Sequence, residues 1–156
     1  MPERDAFVIL FDSRFLFGGI ALARSLLAHA PGHALYVVCL DEATFRILSA
    51  LSLPHARLVL QKDFETPALL AVKPARNASE YAWTCKSAAV RHVLALDASL
   101  ETVTYLDSDL FFFAPPEPVF AELAGGSLLL TEHRFPERNR EAMLRRNGRF
   151  NAQWIS

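Results

Sequence analysis

The sequence predicts an α/β domain built on a mostly parallel sheet sandwiched by helices, and three observations carry that prediction. Short uninterrupted apolar runs recur, with Phe7–Phe11 and Ala34–Leu40 the clearest. Continuous rather than alternating apolar runs mark strands covered on both faces. Stretches with helical spacing separate these runs in the order β-α-β-α-β, which implies right-handed crossovers within one parallel sheet. The chain of 156 residues is 52% hydrophobic and 21% charged, enough to bury a sizeable core.

Taken in order, Phe7–Phe11 reads as the first strand, bounded by Asp5 and Asp12. Gly18-Gly19 open a helical stretch in which Leu16, Ile20, Ala23 and Leu27 recur at helical spacing, and Pro31-Gly32 end it. Ala34–Leu40 is the second strand. Asp41 is placed to cap a helix over residues 42–51, with Phe45, Leu48 and Leu51 on one face. Arg57–Leu60 is the third strand. Residues 62–78 hold Pro67 and Pro74 and read as a short helix and a loop. A longer helix is predicted over 79–96, with Ala89, Val90, Val93 and Leu94 facing inward. Thr102–Leu106 is the next strand, and Leu110–Phe113 continues extended, with its aromatic run expected in the core. Pro115-Pro116-Glu117-Pro118 stop that run before a short helix near 118–123. Gly125-Gly126 turn the chain into a strand at 127–131. Pro136 suits the start of a last helix and Asn147-Gly148 its end.

No internal repeat or low-complexity tract divides the chain, so residues 1–156 read as a single domain. The terminal run Phe150–Ser156 reads as a strand that would leave a ladder exposed and free to pair with another chain. On that ground the chain is expected to be the N-terminal part of something longer.

Composition excludes several classes. Sixteen Lys and Arg stand against seventeen Asp and Glu, a net charge of −1, so nothing drives bulk electrostatic binding to nucleic acid. Two cysteines, Cys39 and Cys85, supply neither a disulfide framework nor a four-thiolate zinc site. The opening Met1-Pro2-Glu3-Arg4-Asp5 is unlike a signal peptide, and the apolar runs fall short of the ~20 residues of a membrane helix. A cytoplasmic location is the expectation.

Ligands in open α/β sheets sit beyond the carboxyl ends of the strands. Two polar clusters fall there: Asp12-Ser13-Arg14 and Asp107-Ser108-Asp109. Carboxylates one residue apart in a turn can both approach one hard cation. Mg2+ or Mn2+ prefers carboxylate and water oxygens and completes its shell with substrate phosphates. Such an ion would offset charge growing on a departing diphosphate. An isolated Asp-x-Asp also fits two solvated turn aspartates. Here it stands between the apolar runs Thr102–Leu106 and Leu110–Phe113, and solvation alone does not explain polar residues held between two such runs.

Tyr105-Leu106-Asp107-Ser108-Asp109-Leu110-Phe111-Phe112 resembles the Asp-x-Asp motif of GT-A-fold glycosyltransferases that use nucleotide-diphosphate sugars. The broader layout is similar to family-8-like bacterial members acting in surface-polysaccharide assembly. Further matching pieces are Phe11–Phe15, Arg24–Leu27, Glu80–Lys86, His133–Phe135 and Gly148–Asn151. The resemblance implies a Rossmann-like GT-A fold and transfer of a sugar from a nucleotide-diphosphate donor, most simply a UDP-sugar, to a glycan or other hydroxyl acceptor. It implies Asp109 as the direct metal ligand, with Asp107 on the metal or the ribose, and Ser108 against the nucleotide. Asp12, Arg14 and the Phe15 ring would lie near base and ribose, and Lys86 near the diphosphate or donor sugar. Family members continue well past this length, so the resemblance implies a donor half without its acceptor half.

Other readings stay open from the residues alone. Asp12 and Arg14 also fit a surface ion pair, Lys86 a solvated helix residue, and Phe15 a core position. His133 and Glu132 suit a metal shell, an acceptor contact or a structural role. The stretch containing Arg138, Arg140, Arg145, Arg146 and Arg149 reads as a solvated face, or as a surface for an anionic acceptor or membrane. Two other functions also fit: a haloacid-dehalogenase-type phosphatase with Asp107 as nucleophile, and a non-catalytic nucleotide-binding or interaction domain.

Overall fold

The structure, a computed structural model, describes residues 5–156; Met1–Arg4, most of the charged opening stretch, lie outside the described residues. Six strands are described: β1 (Asp5–Phe11), β2 (Ala34–Cys39), β3 (Ala56–Leu60), β4 (Thr102–Leu106), β5 (Leu130–Glu132) and β6 (Phe150–Ile155). The helices are α1 (Leu16–His29), α2 (Glu42–Leu51), α3 (Gln61–Phe64), α4 (Pro67–Val72), α5 (Ala78–Leu96), α6 (Glu117–Ala121) and α7 (Arg140–Asn147). One sheet holds all six strands in the order β3-β2-β1-β4-β6-β5. β3, β2, β1 and β4 run parallel, and β6 is antiparallel to both β4 and β5. No helix of the described residues is long and apolar enough to cross a membrane.

β1 is buried from Ala6 to Phe11 because its side chains feed two cores. Ala6, Val8 and Leu10 join Tyr36, Val38, Val103 and Tyr105 beneath α5. Phe7, Ile9 and Phe11 join Leu35, Val37, Leu106 and Trp154 beneath α1 and α2. Helices on both faces therefore make the central strands continuously apolar. Cys39 and Cys85 are both buried free thiols, and burial pushes Cys39 up to about 12. Cys39 stays a neutral, unreactive core side chain.

Several local expectations change. The buried stripe of α1 is Gly19, Leu22, Ala23, Ser25 and Leu26; of the predicted row Ala23 is buried, Leu16 and Ile20 pack partly buried against the same core, and Leu27 lies outside it. Gly19 is on that stripe because a Cβ there would lie 2.3 Å from the Phe11 ring. α5 buries Tyr81, Cys85, Ala89 and Val93, an i+4 ladder, while Leu94 faces solvent. On α2, Leu48 and Thr44 are buried and Leu51 is exposed. Residues 61–75 form two short helices and a 3₁₀ turn rather than one helix and a loop. Phe111 and Phe113 are not core. They are exposed, with ring centroids 4.9 Å apart, while Phe112 turns inward against Phe7 and Trp154.

The largest change concerns the terminal run. β6 is not an open edge: it lies between β4 and β5, with Leu106 paired to Trp154 and Leu130 to Ile155. Its Trp154–Ile155 end is paired on both sides, by β4 and by β5, while Phe150 and Asn151 pair with β5. The basic stretch forms short, exposed α7 and its flanks. Arg145 pairs with Glu141 at 2.9 Å and Arg140 with Glu137 at 3.4 Å.

Candidate functional site

The sheet order fixes where a site can form. The chain crosses from β1 to β2 on one side and returns with β4 on the other, so strand order reverses between β1 and β4. Crevices open at such a point beyond the carboxyl ends. Ile9 pairs with Leu106, which brings Asp12 and the 107–109 turn to the same end of neighbouring strands. A cleft of about 230 Å³ lies there, and Asp12, Arg14, Phe15, Lys86, Asp107, Ser108 and Asp109 all line it. All seven candidate residues from the sequence are thus brought together. Leu40, Ser79, Ala82, Trp83 and Tyr105 complete much of the wall.

The acidic turn is held from three directions. The Asp107 N–H donates to the Gln153 carbonyl of β6 at 3.0 Å, and Leu110 N–H closes the turn onto the Asp107 carbonyl at 3.3 Å. Beyond it, Phe112 N–H donates to Ser25 Oγ of α1 at 3.1 Å. Gly18 brings α1 up to the turn: a Cβ at that position would lie 2.9 Å from the Ser108 carbonyl oxygen.

Charge is distributed unevenly in the cleft. Lys86 Nζ donates to Asp107 Oδ1 at 2.5 Å, and the Tyr105 hydroxyl donates to the same oxygen at 2.7 Å. Lys86 is only 14% exposed and lies over the Tyr105 ring at 4.9 Å. Burial, and then the Asp107 charge, push the Tyr105 hydroxyl well above its ordinary value, so it remains a donor. Across the cleft, Arg14 grips Asp12 Oδ2 through Nε at 2.9 Å and Nη2 at 2.6 Å, while Arg14 N–H donates to Oδ1. Asp12 and Arg14 are therefore an ion pair and also cleft residues. Asp109 is exposed and joins no hydrogen bond or ion pair among the described residues. Three carboxylates thus face two cations, and the uncompensated one is Asp109.

The corner below Asp12 is braced by Asp41, which accepts from Ser13 N–H at 2.9 Å and Thr44 N–H at 2.7 Å. Desolvation, the largest single influence, pushes this carboxyl upward. The hydrogen bonds from Ser13 and Thr44 together outweigh it and hold the group well below the ordinary carboxylate range. Asp41 thus caps α2, as the sequence predicts, and also orders the loop that carries Arg14 and Phe15.

The donor set fits a hard divalent cation in part. Asp109 offers free oxygens and Asp107 keeps Oδ2, but no group of three or more His, Cys, Asp or Glu gathers as a metal shell among the described residues. The remaining ligands would have to be waters or phosphate oxygens. His133 and Glu132 line a second, larger concavity of about 1130 Å³ over β5 and β6, together with Leu110 and Gln153. There His133 stacks on Phe135 at 4.5 Å and Glu132 binds Arg149. Reading the sequence missed Tyr105 and Trp83 as wall residues. Ser79, Ala82, Trp83 and Lys86 share one helical stripe, a spacing that was available to find Trp83.

This mostly parallel six-stranded sheet with its helices matches part of the GT-A glycosyltransferase structures. The solved structures it matches include mouse xyloside xylosyltransferase 1 (TM-score 0.61, 14% identity, 97% of this chain and 66% of that one). The galactosyltransferase LgtC in complex with donor and acceptor sugar analogs also matches (TM-score 0.57, 17% identity, 96% and 56%). So does the glycosyltransferase GlyE of Streptococcus pneumoniae TIGR4 (TM-score 0.51, 19% identity, 99% and 34%). By sequence the chain is 33% identical over 157 residues to the uncharacterized protein YfnF of Bacillus subtilis (strain 168), covering 97% of this chain and 52% of YfnF. It is 34% identical over 149 residues to the uncharacterized protein YfnD of the same organism, covering 96% and 48%. The chain spans about half the length of these curated relatives. No family model matches it.

Proposed function

We propose that this chain carries the donor site of a metal-dependent glycosyltransferase that moves a sugar from a nucleoside-diphosphate donor, most simply a UDP-sugar, to a glycan or other hydroxyl. The observation that carries the reading is the exposed, unpaired Asp109, next to Asp107 and within one cleft with Lys86, Asp12, Arg14 and Phe15. Asp109, with Asp107, would hold Mn2+ or Mg2+, and the bound ion would neutralise charge on the leaving diphosphate. Lys86 would then supply a compact positive charge to a phosphate oxygen. The Tyr105 hydroxyl would keep Asp107 oriented if Lys86 turned toward the ligand. The larger concavity over β5 and β6 opens beside the acidic turn and is the natural side for the acceptor. That the matched structures are glycosyltransferases, one of them bearing donor and acceptor sugar analogs, supports this reading over a phosphatase built on Asp107.

The test is a calorimetric titration of the chain with UDP, with and without manganese. The reading expects binding that requires the metal. Equal binding after chelation, or none under either condition, overturns it.

A further inference from the structure

Trp83 lines the cleft without touching any of its charged groups through a hydrogen bond or ring contact among the described residues. It stands on α5, three residues before Lys86, and it is 65% exposed although it lines the cleft. Its ring makes no aromatic or cation–π contact among the described residues, whereas Trp154 is packed against Phe7, Phe112 and Phe120. The inward ladder of α5 passes through Tyr81 and Cys85, so Trp83 is not a core residue displaced by a helical distortion. An indole left open beside charged groups offers one thing that they lack, a broad apolar face for a flat ring.

We infer that Trp83 is a stacking face for the nucleobase of the bound nucleoside diphosphate, an inference that rests on the donor-site reading above. Position along the cleft favours the base over the transferred sugar. Lys86 and the acidic turn mark the diphosphate, next to the concavity over β5 and β6. Trp83 and Ser79 carry the same wall away from Lys86 along α5, roughly 4.5 and 10 Å along the helix axis. Trp83 lines the cleft at β1, β2 and β4 and does not line the concavity over β5 and β6. A donor lying with its sugar toward that concavity therefore has its base at Trp83. Phe15, 53% exposed in the same cleft, supplies a second aromatic ring.

The experiment compares wild type, Trp83→Ala and Trp83→Phe, each titrated in manganese with UDP and with inorganic pyrophosphate. Base–aromatic stacking sets the scale, on the order of a tenfold loss of affinity when the ring is removed. Trp83→Ala should lose about that factor for UDP and nothing for pyrophosphate, and Trp83→Phe should recover most of it. Intrinsic fluorescence gives an independent readout. UDP should quench the wild-type emission, and the quenching should vanish in Trp83→Phe, where only buried Trp154 remains. UDP affinity unchanged in Trp83→Ala, or quenching that persists in Trp83→Phe, refutes the assignment while leaving the donor site intact. Failure of wild type to bind either ligand instead overturns the donor-site reading and, with it, this inference.

Discussion

Gly18→Ala probes how the helix positions the acidic turn. Gly18 is the third residue of α1, and an added Cβ would meet the Ser108 carbonyl oxygen at 2.9 Å. That atom is backbone, so no rotamer change relieves the contact. α1 cannot simply retreat, because it is seated on Phe11 at Gly19 and bonded to the turn segment through Ser25 and Phe112. The peptide at Ser108 must give by several tenths of an ångström, and this peptide links the two proposed metal ligands. Binding sites tolerate only about 0.5 Å of such displacement. Alanine also gains up to about 1 kcal/mol of helix propensity, which offsets the strain. Global stability should therefore barely change, by less than about 4 °C in Tm, while affinity for UDP in manganese falls by about tenfold. Thermal melts and calorimetry on the same preparation separate the two effects. Full UDP affinity in Gly18→Ala would refute the argument that this close approach sets the turn.

Two further variants test the electrostatics. Lys86→Met removes the cation from Asp107 and leaves its carboxylate with the Tyr105 hydroxyl alone. Manganese by itself should then bind at least as tightly as to wild type, while pyrophosphate binding weakens severalfold; weaker binding of the ion alone would contradict the charge account. Asp41→Ala removes the cap on α2 and the brace on Ser13, at a cost of about 1–2 kcal/mol. The folded Asp41 carboxyl titrates below its unfolded value. Its contribution is thus present above the ordinary range near pH 4 (about) and is lost as pH falls through the depressed folded value. Denaturant melts across pH should show a smaller acid-side loss of stability in Asp41→Ala than in wild type, and an identical loss would rule out the linkage.

How far the sequence speaks for this molecule depends on the range of the interaction that decides each feature. β1 and β2 are legible because burial on both faces leaves a local mark, an unbroken apolar run, while β4 reads as a strand from its β-branched and aromatic residues although Thr104 is buried among them. The cleft residues are legible because parallel strands deliver their carboxyl ends to one edge, so Asp12 and Asp107–Asp109 had to converge once β1 and β4 became neighbours. The inward face of α5 is less legible, since small Cys85 and polar-tipped Tyr81 are buried where bulkier Leu94 is not. Apolar content also misleads at Phe111–Phe113, where only the middle ring packs inward. The placement of β6 is invisible locally, because nothing in its residues encodes insertion between β4 and β5. That arrangement follows from long-range pairing and a reversal of direction. Asp41 reads as a helix cap, but its second bond, to Ser13 across 28 positions, emerges only from the fold.

Asp109 is the residue that would hold a divalent ion in the proposed donor site, and the ion would offset charge on the diphosphate. The most direct measurement is the manganese dependence of UDP affinity in Asp109→Ala beside wild type. Asp109 is exposed and unbonded, so the variant should fold as wild type does. The expected result is a wild-type affinity that rises with manganese and a variant affinity that stays flat across the titration. Parallel manganese curves for the two proteins would contradict the account.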